Sequence, residues 1–95
     1  MNLNIKHDKS TDDFFNLEKQ RMLNEINDLK EKIANYKAKY EMSFKEFEIM
    51  VQDADEETVN WEEYFDWKSL LNKRRILERE VRSIDNRGKM PVDEN

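Results

Sequence analysis

The only histidine, His7, lies in the polar lead MNLNIKHDKS. A lone imidazole in such a setting has the chemistry of a solvent-exposed side chain, not of a general base. The chain has no cysteine, which removes disulfides, thiolate metal sites and cysteine nucleophiles together. No serine sits in a nucleophile elbow, and no glycine-rich phosphate loop is present. Asp53-Ala54-Asp55-Glu56-Glu57 offers the oxygens a hard cation prefers. A calcium loop, however, needs a glycine at its sharp turn and a fixed spacing of acids, and both are missing. No catalytic residue, metal ligand or cofactor is expected, so the reading is of a protein that is not an enzyme.

The residues able to make a recognition surface are aromatic and acidic. Trp61, Glu62, Glu63, Tyr64, Phe65, Asp66 and Trp67 are consecutive, and Phe44 and Phe47 precede them across an acidic spacer. In a helix Trp61 and Trp67 point about 120° apart, with Tyr64 between them and Phe65 toward the Trp61 side. One narrow helix–helix seam cannot hide all four rings. Some pack as core against Tyr40, Phe44 and Phe47; the remainder meet the short helix, another protomer or a different protein. These nine residues are the candidate partner-binding set.

The elements that must position them are helical. From Met22 the apolar residues Met22, Ile26, Leu29, Ile33, Tyr36 and Tyr40 are separated by 4, 3, 4, 3 and 4 positions, a heptad seam. Phe14, Phe15, Leu17 and Leu23 extend and widen it. Ser10-Thr11-Asp12-Asp13 reads as its start, with Thr11 as cap, so a first helix is expected over about 12–41. In YEMSFKEFE (40–48) the seam falls on Ser43, while Ser43 and Glu46 have the spacing of a capping box and Met42 and Phe47 that of a hydrophobic staple. A corner is expected there, followed by a short helix over about 44–52 with Phe44, Phe47 and Val51 inward. Asn60 and Glu63 repeat the capping pattern, with Val59 and Tyr64 at staple positions. Tyr64, Trp67, Leu70, Arg74, Leu77, Val81 and Ile84 then form a second seam, flanked by Phe65, Leu71 and Ile76. Arg74 packs its stem there while its guanidinium reaches water. Gly88 and Pro91 are placed to end a helix over about 60–87. The expected fold is all-α: a long antiparallel, coiled-coil-like helical hairpin with a short connecting helix. It forms one domain over 11–88, between flexible tails at 1–10 and 89–95.

Composition agrees with this outline. Of 95 residues 41% are charged and 37% hydrophobic, with one glycine and one proline; a large core and a turn-rich β fold are both excluded. The apolar pattern is too periodic for a disordered chain. Two seams with flanking apolar residues exceed what one hairpin buries, so a homodimer is expected. No apolar run is long enough for a membrane span and the start lacks a signal-peptide core, so a cytoplasmic location is expected. The net charge of −5 disfavours nucleic-acid phosphates as a partner. Between Asp53 and Asp66 there are seven acids and no base; from Lys68 to Lys89 there are eight bases and three acids.

The segment Tyr40–Glu48, an acidic spacer, and Glu62-Glu63-Tyr64-Phe65-Asp66-Trp67 together resemble a group of small archaeal and bacterial proteins. Their pattern is K-Y-G-M-S-F-E-E-F-E, a variable acidic linker and D/E-D/E-Y-x-E/D-W before a last helix. That group looks like antitoxins of two-gene toxin–antitoxin modules. The resemblance covers about residues 36–71 and departs from the pattern at Glu41, where the group often has a glycine that would end the helix. It implies a non-enzymatic inhibitory protein that binds a cognate toxin and occludes it, laying an apolar helical face into a groove. The acidic 53–66 segment would meet a basic toxin surface. The helices are too long for a ribbon-helix-helix DNA-binding unit. The alternative expectations are a self-assembling coiled-coil scaffold and, further off, an acidic mimic of nucleic acid.

Overall fold

The computed structural model describes residues 2–89, with side chains described over residues 13–86. Three helices follow in order: α1 Asn2–Tyr40, α2 Phe44–Asp53 and α3 Trp61–Lys89, with a 3-10 turn at Glu56–Thr58 ahead of α3. No strand occurs among the described residues. α1 packs along α3 as an antiparallel hairpin, and α2 folds against the closed end. The register is set by Lys19–Asp85 at the open end and by Tyr36–Asp66 and Lys39–Glu63 near the closed end. The result is a rod of 69 × 25 × 18 Å.

The corner between α1 and α2 is built locally. α1 stops at Tyr40, and Glu41 takes a left-handed conformation with φ 55°. This is the role a C′ glycine ordinarily fills, so Glu41 performs it against a steric cost of about 1–2 kcal/mol. Ser43 is extended and caps α2: the Glu46 N–H donates to Ser43 Oγ (3.2 Å), and the Ser43 N–H donates to Glu46 Oε1 (3.0 Å). Met42 packs against the cluster that contains Phe47, as a staple requires. The turn is complete without glycine.

Two boundaries differ from the sequence expectation. α1 begins at Asn2 and not near residue 12, so residues 2–10 are helical and Thr11 lies inside the helix instead of capping it. No proline or glycine interrupts residues 2–40. Once the heptad region nucleates a helix, each further residue adds a hydrogen bond without a second nucleation cost. At the other end α3 continues through Gly88 to Lys89, so Gly88 does not terminate it; a helical glycine costs about 1 kcal/mol, which a long helix tolerates. Of the tail expected at 89–95, Lys89 is the last residue of α3, and Pro91 with the rest of 90–95 lies outside the described residues.

The core follows the two seams. Ile26, Leu29 and Ile33 of α1 are buried, as are Tyr64, Trp67 and Leu70 of α3 and Phe47 and Val51 of α2. Leu29, Ile33 and Leu70 form one cluster; Phe47, Val51, Tyr64 and Trp67 form a second at the closed end, and Tyr36 and Leu71 touch both. Arg74 is half-buried on the seam, and its Nε donates to Glu78 at 3.1 Å. Toward the open end burial thins: Phe14 is 57% and Leu17 71% exposed.

Candidate functional site: the closed end of the hairpin

Trp67 is the centre of the closed end, with none of its surface exposed. Tyr36 and Tyr40 lie nearly parallel to its ring at centroid distances of 5.5 and 6.0 Å, Phe47 lies at 5.2 Å, and Phe44 meets it edge-on at 5.2 Å. All three helices contribute, because the corner at Glu41–Ser43 brings Phe44 and Phe47 back over the end of the α1–α3 seam. The Trp67 indole N–H has no hydrogen-bond partner among the described residues.

A polar frame surrounds this aromatic centre. Tyr36 Oη donates to Asp66 Oδ2 at 2.6 Å, and Tyr64 Oη donates to Glu48 Oε2 at 2.7 Å. Glu63 accepts from both Tyr40 Oη and Lys39 Nζ. Its backbone N–H receives the cap from Asn60 Oδ1 at 3.1 Å. The Asn60–Glu63 pattern is therefore half a capping box: the cap forms, while the Glu63 side chain turns to α1. The hydrogen bond to Asp66, then burial, raises the Tyr36 phenol well above its ordinary pKa. Burial and the Glu63 carboxylate push Tyr40 up to about 12, and the Glu48 bond raises Tyr64. Lys39, then Tyr40, lowers Glu63 below the usual carboxylate value.

Of the nine residues singled out, Phe47, Tyr64 and Trp67 are buried within the chain and Phe44 is half-buried. Glu63 and Asp66 are engaged across the helix pair. Trp61 (38% exposed), Phe65 (57% exposed) and Glu62 remain on the surface. The Trp61 and Phe65 rings lie 6.0 Å apart, and Trp61 Nε1 donates to the Glu56 carbonyl at 3.1 Å, fixing the indole against the 3-10 turn. The two tryptophans thus divide as their angular separation requires.

Sequence reasoning did not foresee a groove of about 280 Å³ between α2, the 3-10 turn and the end of α1, lined chiefly by Phe47, Met50, Val51, Ala54 and Val59. Met50 and Ile49, beside it on α2, are exposed. An exposed methionine off the inward face of a short helix was the available signal.

Among the described residues no group of acids or histidines is arranged to hold a metal ion, and no helix is long and apolar enough to cross a membrane. Comparison with protein-family models, curated proteins and solved structures finds no match to the chain.

Proposed function

We propose that this is a non-enzymatic inhibitory binding protein, antitoxin-like, whose closed end docks on a cognate small toxin and occludes it. The observation that carries the reading is the pair Trp61 and Phe65, held side by side and exposed next to Glu62 while the rings behind them are locked in the core. Large apolar rings on a rigid support, ringed by charge, have the make-up of interface anchors. The resemblance of residues 36–71 to antitoxin-like proteins supports the same reading. In the test, the gene adjoining this one is expressed alone and together with it. Growth arrest by the neighbour alone, relief on co-expression, and a co-purifying complex lost in the Trp61→Ala/Phe65→Ala variant are expected. Normal growth from the neighbour alone, or no complex, overturns the proposal.

A second reading, a coiled-coil homodimer or scaffold, is favoured by the open end. There Phe14 and Leu17 of α1 are largely exposed. A second copy of the chain would cover them. Sedimentation is expected to give a dimer that Leu17→Glu converts to monomer; a wild-type monomer at all concentrations excludes this reading.

A further inference from the structure

We infer that the groove between α2 and the 3-10 turn is a specificity socket for one aliphatic side chain presented within a basic segment of the partner. The lining decides the first half. Phe47 and Val51 form a packed floor, Ala54 leaves space, and Met50 supplies an adaptable wall. Each polar side chain on its edge makes one hydrogen bond within the chain. Tyr40 Oη donates to Glu63, Thr58 Oγ1 donates to the Asp55 carbonyl at 2.8 Å, and Asn60 Oδ1 accepts from the Glu63 N–H. A polar group seated on the apolar floor would lose water with no partner beneath it, whereas an apolar one loses nothing. At about 280 Å³ the space lies just below the range of small-molecule pockets and suits a single side chain.

The surroundings decide the second half. Asp53, Asp55, Glu56, Glu57 and Glu62 are exposed on the segment that forms and follows the groove, and none of them makes an ion pair among the described residues. By contrast Glu46, Glu48, Glu63 and Asp66 are bound to groups of this chain. The unpaired carboxylates complement lysine and arginine on either side of the inserted residue, and they raise the encounter rate with a basic partner. The inference deepens the inhibitory-binder reading and rests on it for the identity of the partner. Trp61 and Phe65 supply the anchor, and the groove selects.

The test uses the full chain and a short labelled peptide in which lysines and arginines flank one leucine, with matched peptides carrying serine for the leucine or glutamates for the basic residues. Fluorescence anisotropy is expected to show binding of the basic leucine peptide, weakened about tenfold or more by the serine, by added salt and by the glutamates. Ala54→Trp places a ring in the groove from an exposed position and is expected to remove the leucine preference with helicity unchanged. The triple variant Asp55→Asn/Glu56→Gln/Glu57→Gln is expected to weaken the leucine and serine peptides alike. Absent binding, equal affinity for leucine and serine peptides, or a preference that survives in Ala54→Trp overturns the inference. In the growth assay, Ala54→Trp that still neutralises while Trp61→Ala/Phe65→Ala does not overturns the groove alone. A neighbour that never arrests growth overturns the inhibitory function and leaves the peptide result standing.

Discussion

Tyr36 on α1 donates a 2.6 Å hydrogen bond to Asp66 on α3 while its ring stacks on Trp67, the next residue along α3. One side chain thereby joins the two helices through both polar and apolar contacts. Tyr40, one turn on, does the same with Glu63 and Trp67. The closed end is held by tyrosines whose phenols must stay protonated.

Alkaline pH should therefore loosen it. Tyr36, Tyr40 and Tyr64 all have folded pKa values above the ordinary 10, Tyr40 at about 12. Stability from a raised acid is fully present below the unfolded value and is lost as pH rises through the folded one. Urea midpoints are expected to be flat up to about pH 10 and to fall between about 10 and 12. The fall should be shallower in Tyr36→Phe and Tyr40→Phe. Equal slopes in wild type and variants would remove the phenol bonds from the account.

Acid acts through Glu63. Its carboxyl is lowered by Lys39 and Tyr40, so its contribution is present above the ordinary glutamate value and disappears as pH falls through the lower folded value. Glu63→Gln is expected to be less stable than wild type at neutral pH and to converge with it at acid pH. Parallel pH curves would contradict this. Because the pair is near the surface, added salt should narrow the gap.

The two tryptophans should behave differently. Trp67→Ala opens a cavity among four rings and is expected to cost about 3–5 kcal/mol, read from urea unfolding. Trp61→Ala should cost less than about 1.5 kcal/mol, since the indole is partly exposed and loses one carbonyl hydrogen bond. An aqueous quencher should reach Trp61 and not Trp67 in the folded chain; equal quenching of single-tryptophan variants would contradict the burial.

The corner gives opposite signs at neighbouring residues. Glu41→Gly relieves the left-handed strain and is expected to stabilise by about 0.5–1 kcal/mol, net of the added freedom of the unfolded chain. Ser43→Ala removes a cap and should destabilise by about 1 kcal/mol. A destabilising Glu41→Gly would show that the Glu41 side chain, not the backbone, matters there.

The starts of α2 and α3, the corner and the inward faces were legible in the residues because their causes are local. A cap needs a serine or asparagine three positions ahead of the N–H it accepts from, and a seam needs apolar groups every three or four residues. Ser43 with Glu46, Asn60, and the seams through Ile33 and Leu70 are cases of this. The start of α1 and the end of α3 were misread for a related reason. Thr11 and Gly88 can cap or end a helix, yet neither compels it when the backbone on both sides can stay helical.

Packing decided the rest. Glu63 had the spacing to complete a box with Asn60, but α1 brought Lys39 and Tyr40 within reach, and a charge-assisted bond to an ammonium outweighs a second backbone cap. Glu41 was forced left-handed because α2 must turn back over Trp67. Which rings would be hidden, and which left exposed, depended on where three helices close on one another, a relation between residues distant in the chain that no local spacing encodes.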